Sequence, residues 1–178
     1  MIAEARHVAH SLPDQCQGLA TLAGAFQLDH AQRRLPRHEV IVHDAGVLER
    51  AGDARAEFEE MAVVHTDQAL RDFERFVLPG LRGADARVID RLSATYVEGY
   101  SPESDAREPF LAPALHVFGR QDHVVGYEDG LALADHYPRG SFVVLDGTGH
   151  NPHLERPQLV GALIRDWLGR VDRHRPCD

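Results

Sequence analysis

The feature that most constrains this chain is the rhythm of its last third. After Pro113 comes a short apolar run, Ala114 to Phe118, and then a turn containing Gly119 and Asp122. Helical spacing follows from Glu128 to Tyr137, closed by Pro138, and a second apolar run covers Ser141 to Leu145. Short apolar runs separated by a helix read as parallel strands, because a parallel pair needs a crossover and the crossover helices bury both faces of the sheet. The closing segment places Leu159, Val160, Leu163, Ile164, Trp167 and Leu168 on one side of a helix, with Pro157 suited to its first turn.

The beginning of the chain repeats part of this pattern. Ile2, Ala5, Val8, Ala9 and Leu12 recur at helical spacing over residues 1–12, and Pro13 stops that helix. The apolar run Gly18 to Gly24 reads as a buried strand. Helix then strand is half of a βαβ unit. The helix also has no N-cap before Ile2, so the expectation is a misassigned start or a truncated gene, with Met1 internal to a longer reading frame. Between the two regions the chain is richer in charge and helical in pattern. Asp67 is positioned to cap a helix with Leu70, Phe73, Phe76 and Val77 on its apolar face, ended by Pro79-Gly80. Asp85 is positioned to cap another, bearing Val88, Ile89, Leu92 and Tyr96, and Ser101 to Asp105 reads as a loop. The predicted organisation is an α/β core from residues 1–24 and 111–172, a helical cap inserted at 25–110, and a tail at 173–178.

Charge and composition exclude several function classes. The 178 residues carry a net charge of −9, so no basic surface for nucleic acid is expected and no polybasic membrane anchor. No apolar run approaches the roughly 18 residues of a membrane helix, and the first residues form neither a signal nor a transit peptide. Cys16 and Cys177 lie near opposite ends and read as free thiols in a reducing, cytoplasmic setting.

Two loops carry the candidate chemistry. Phe118-Gly-Arg-Gln-Asp122 follows the first apolar run, and Gly147-Thr-Gly-His150-Asn-Pro-His-Leu-Glu155-Arg-Pro157 follows the second. Asp122 and His150 are 28 positions apart, which leaves room for one helix and one strand. Loops after adjacent parallel strands sit on the same rim of the sheet, so a carboxylate and an imidazole would face each other there. Gly147 and Gly149 would let the second loop bend toward the acid. Taken singly, an Asp in such a loop is often only a turn residue and a lone His only a packing residue. It is the order of the two motifs and their flanking elements that selects the functional reading.

That order resembles the α/β-hydrolase fold family. Gly119-Arg-Gln-Asp122 resembles the family's turn after the seventh strand, Gly147-Thr-Gly-His150 its histidine loop, and Glu155-Arg156-Pro157 the opening of its last helix. Residues 1–24 resemble the helix behind the nucleophile and the sixth strand. The resemblance implies an incomplete α/β-hydrolase fold of three mainly parallel strands flanked by helices, with a helical cap between the sixth and seventh strands. It implies Asp122 and His150 as acid and base of a Ser-His-Asp triad, no cofactor, and a small-molecule substrate such as an ester, lactone, amide or dienoate. Phe58, Met61, Phe73, Phe76 and Tyr96 would be candidates to line its pocket. The chain departs from the family's pattern in two respects: Gly-x-Ser-x-Gly occurs nowhere in the 178 residues, and nothing in them reads as the family's first five strands or the two oxyanion-hole donors that go with them.

Local substitutes for the nucleophile fit poorly. Cys16 precedes a strand, whereas an elbow nucleophile follows one, and Ser11, Ser93, Ser101, Ser104 and Ser141 lack the elbow context. His150 and His153, with Pro152 between them, do not make a metal pair, and Asn151 and His153 fit a role in shaping the loop. Glu57, Glu59 and Glu60 read as a solvated helix face. An alternative reading is a non-catalytic remnant of the fold, a binding module whose exposed strand edge at residues 18–24 invites self-association or pairing with another chain.

Overall fold

The computed structural model describes residues 2–95, 101–106 and 108–174. Its centre is a three-stranded sheet in the order β1 (Leu19–Leu22), β2 (Ala114–Gly119), β3 (Gly140–Leu145), parallel throughout. The central strand β2 is buried along its whole length, which is why its sequence is nearly all apolar. Side chains alternate across it. Leu115 and Val117 face one side, in a buried cluster with Leu145 and Val160, whereas Ala114, Phe118 and the buried His116 belong to the other.

The first helix, α1 (Ile2–Ser11), lies where the periodicity places it, but its buried side differs from the prediction. Val8 and Leu12 are exposed, and the side turned inward carries Arg6 and Ala9. An ion pair overrides hydrophobic spacing here. Arg6 Nε and Nη2 donate to the two carboxylate oxygens of Glu103 at 2.7 Å each, Nη1 donates to the Ala25 carbonyl, and the guanidinium lies 4.3 Å from the centre of the Phe26 ring. The Tyr137 hydroxyl also donates to Glu103. Bidentate geometry with each guanidinium nitrogen engaged is the arrangement in which a buried charge pair is tolerated. Glu103 therefore sits not in a loop, as its Pro- and Ser-rich surroundings predict, but in a short helix.

Between β1 and β2 the chain runs through helices α2 (Ala45–Arg50), α3 (Arg55–Met61), α4 (Asp67–Asp72), α5 (Leu78–Gly83), α6 (Ala86–Thr95) and α7 (Pro102–Asp105). A second apolar cluster, with Phe58, Leu70 and Phe73 buried, holds the early part of this region together. Three details correct the sequence reading. Thr66, not Asp67, caps α4, its hydroxyl accepting from the Ala69 amide at 3.2 Å. Pro79 does not end the helix. A π-turn at Phe73–Val77 precedes it, with the Leu78 amide reaching back to the Phe73 carbonyl, and α5 then carries Pro79 in its first turn, where a missing N–H costs nothing. Finally, Val88, Ile89 and Leu92 of α6 are 40%, 50% and 45% exposed, so the apolar face read from the sequence is open rather than packed.

The connection from β2 to β3 is also more broken than predicted. In place of one helix it has α8 (Glu128–Leu131) and a separate 3-10 turn at Ala134–His136. A short helix α9 (Pro152–Glu155) follows β3, and α10 (Pro157–Asp172) closes the described chain. Leu159 and Leu168 are exposed, and the packed face of α10 runs through Val160, Leu163, Ile164 and Trp167. The Trp167 indole N–H donates to the Pro113 carbonyl at 3.0 Å, locking α10 to the entrance of β2.

Candidate active site

The carboxyl ends of β2 and β3 are adjacent, with Gly119 in register with Leu145. The loops that follow are interlocked through the backbone. The Arg120 amide donates to the Leu145 carbonyl at 2.8 Å and the Gln121 amide to the Thr148 carbonyl at 3.0 Å. The Gln121 side chain completes the link, accepting from the Thr148 amide at 3.2 Å and donating to Asp146 at 3.0 Å. A β-carbon at Gly119 would collide with the Thr148 and Gly149 carbonyls. That glycine is therefore required by close approach, while Gly147 supplies the left-handed turn, at φ +63°.

This interlock brings the two predicted residues together. His150 Nδ1 lies 3.1 Å from Asp122 Oδ2. Asp122 is fully buried, and its other oxygen accepts from the amides of Val124 at 2.9 Å and Val125 at 3.1 Å. Every oxygen of the carboxylate is engaged, which fixes its orientation. Because an ionised carboxylate can only accept, Nδ1 of His150 is the donor in this contact, which leaves Nε2 as the ring's other nitrogen. The His150 side chain is 28% exposed, and its Nδ1 end is held by the buried carboxylate. The pair can act as an oriented base.

Glu155 is the neighbour whose role the sequence left unread. One turn of α9 carries its carboxylate back over the histidine loop, where Oε2 accepts from the Gly149 amide at 2.8 Å. Burial and the nearby Asp122 carboxylate push Glu155 up to about 7, against the opposing pull of the Gly149 and Val63 amides and of His150. Beside it is a cavity of about 30 Å³, lined in part by Phe58, Phe73, Asn151 and Glu155. That is room for a water molecule or two, not for an ester.

The remaining predicted residues are scattered. Phe73 is 4% exposed within the helical cluster and touches this small cavity, and Phe58 is fully buried beside it. Phe76 is 56% exposed, its ring under the Arg75 guanidinium. Tyr96 lies outside the described residues. Cys16 is a free thiol, half-buried against the β1–α1 cluster. Among the described residues no group of three or more His, Cys, Asp or Glu side chains is placed to hold a metal ion, and no helix is long and apolar enough to cross a membrane. The sequence reading missed Gln121 and Thr148. Their only signal was their position inside the two motifs.

A parallel sheet flanked by helices, with a carboxylate and an imidazole on loops at adjacent carboxyl ends, defines the architecture of an α/β protein. No family model matches the chain, but individual relatives do. It is 23% identical over 110 residues to a 2-hydroxymuconate semialdehyde hydrolase of Pseudomonas sp. (strain CF600), a match covering 62% of this chain and 39% of that protein. Among solved structures, an alpha/beta superfamily hydrolase from Oenococcus oeni PSU-1 superposes with a TM-score of 0.79 at 27% identity, over 94% of this chain and 62% of the other. The 2-hydroxy-6-oxo-6-phenylhexa-2,4-dienoate hydrolase of Rhodococcus sp. strain RHA1 superposes at 0.61 and 18% identity, over 94% and 60%. The chain has a partial form of the α/β-hydrolase fold, and its match spans about two fifths of that curated relative.

Proposed function

We propose that His150 and Asp122 are the base and the orienting acid of a hydrolase whose serine nucleophile lies on polypeptide outside these 178 residues. The supporting observation is the 3.1 Å contact between His150 Nδ1 and the fully buried Asp122 carboxylate. In this reading His150 Nε2 takes the hydroxyl proton as the oxygen attacks a carbonyl carbon, then returns it to the leaving group. Asp122 stays ionised and stabilises the imidazolium. The substrate is a small acyl compound, an ester or a related carbonyl species, and residues 25–110 form a cap over it. The names of the Pseudomonas and Rhodococcus relatives favour a dienoate or its semialdehyde within that class.

Reading the coding DNA upstream of Met1 tests this directly. An in-frame Gly-x-Ser-x-Gly is expected, and a stop codon in its place would sink the proposal. If the longer chain is made, short p-nitrophenyl esters are turned over, and D122N and H150A each lower kcat by several orders of magnitude, of the size lost when a triad member is removed elsewhere. A second reading, a binding module without catalysis, draws on two features. Among the described residues β1 pairs only with β2, and the α6 face is open. Size-exclusion chromatography separates the readings: a monomer at all concentrations leaves the binding module without support.

A further inference from the structure

We infer that Glu155 is a positioning residue for His150, holding the histidine loop in place through the Gly149 amide. The inference rests on the proposed base role of His150. Its geometric warrant is independent of that role. The Gly149 amide is the last backbone donor before His150, and Glu155 Oε2 accepts from it at 2.8 Å. The loop has little slack elsewhere. On one side the Gly149 and Thr148 carbonyls press against Gly119. On the other, a β-carbon at Gly149 would meet the Val63 side chain at 3.0 Å and the Met61 carbonyl at 3.4 Å. Gly149 is thus clamped between the end of β2 and the segment after α3, and the Glu155 carboxylate closes the third side.

This arrangement couples the helical region to the site. Residues 61–65 are tied to the chain near Ile41 and Val42, whose amides donate to the Val63 carbonyl, and the His65 amide donates back to Val42. Glu155 also lines the small cavity that Phe58 and Phe73 enclose from the helical side. A shift of α3 or α4 therefore reaches the histidine loop at the close approach of Gly149 to Met61 and Val63 and through the Glu155 carboxylate. Ionisation of that carboxylate changes the grip: the ionised form holds the amide with a charge-assisted bond, and the protonated form holds it more weakly. The titratable groups facing it are Asp122, from the loop after β2, and His150, from the loop after β3.

The test uses the 178-residue chain and nuclear magnetic resonance, so it needs no activity. In E155A the Gly149 amide is expected to exchange at least about tenfold faster. The downfield His150 Nδ1–H signal is expected to broaden or vanish, while circular dichroism shows the fold retained. E155Q keeps an acceptor without the charge: its signal persists and no longer strengthens between pH 6 and 8, as it does with glutamate present. E155A with an unchanged His150 signal overturns the inference, since a merely structural glutamate would lower the melting temperature and leave that signal alone. If E155A fails to fold, E155Q decides: a pH response identical to that of the unaltered chain overturns the inference as well. D122N keeps the two readings apart. If it leaves the His150 signal intact, the Asp122–His150 pair itself is refuted, whatever Glu155 does.

Discussion

At the scale of single residues, the Arg6–Glu103 pair carries the most consequence for folding. Both side chains are buried, at 0% and 1% exposure. Burial works against the charged Glu103, yet the hydrogen bonds and charge of Arg6, with the Tyr137 hydroxyl, bring it down to about 2. Removing one partner strands the other. R6M is expected to cost about 3–5 kcal/mol in denaturant unfolding, whereas R6M combined with E103L recovers most of that loss, because a buried ion pair is replaceable by apolar packing but not divisible. The same logic applies to His116 on β2. It shares a bond of 2.9 Å with the Thr21 hydroxyl and sits among the rings of Phe26, Tyr137 and Phe142. Burial, with Arg6 nearby, brings it down to about 4, so it is neutral in the fold.

At the scale of elements, the strands and the closing helix were legible and the details between them were not. Apolar runs bounded by glycine and proline mark β1, β2 and β3 because a fully buried parallel strand has few alternatives in composition. The two loop motifs were legible for a related reason: glycines where backbones meet, and an Asp and a His at the ends of adjacent strands. The face of α1 was misread because a charged side chain occupies its core position, and periodicity counts only apolar ones. The loop at residues 101–105 was misread because Pro102 opens a helical turn there rather than breaking one. The cap of α4 separates the two accounts experimentally. T66A is expected to lose about 1 kcal/mol of stability by thermal unfolding. D67A is expected to lose less, since its partner Arg50 and Asp67 itself are both largely exposed.

For the whole molecule, the buried titratable groups make opposing demands on pH. His116 is held at about 4 in the fold against an ordinary 6.5, so its contribution to stability is complete above pH 6.5 and is lost as pH falls through 4. Glu103 behaves alike at lower pH: its contribution is complete above 4.5 and fades toward 2. Glu155 has the opposite sign. Its folded value of about 7 exceeds the ordinary 4.5, so it favours the folded state at acid pH and that advantage disappears as pH rises to 7. The melting temperature is therefore expected to rise with pH between 4.5 and 6.5 more steeply in E155Q than in the unaltered chain, and less steeply in H116F. Scanning calorimetry across pH 4 to 8 checks both slopes. The open edge of β1 and the bare side of α6 add a further expectation: a broad transition at modest temperature for this chain alone. A sharp, high-temperature transition would contradict it.

The absence of a side chain at Gly119 has an implication for anyone rebuilding this protein. Because the backbones of the two loops touch there and Gln121 stitches them together, neither can be transplanted, lengthened or randomised by itself. A library that varies residues 119–122 while holding 146–150 fixed would mostly sample chains in which the carboxylate and the imidazole have drifted apart. Productive variation has to move both stretches at once, as a single inherited cassette.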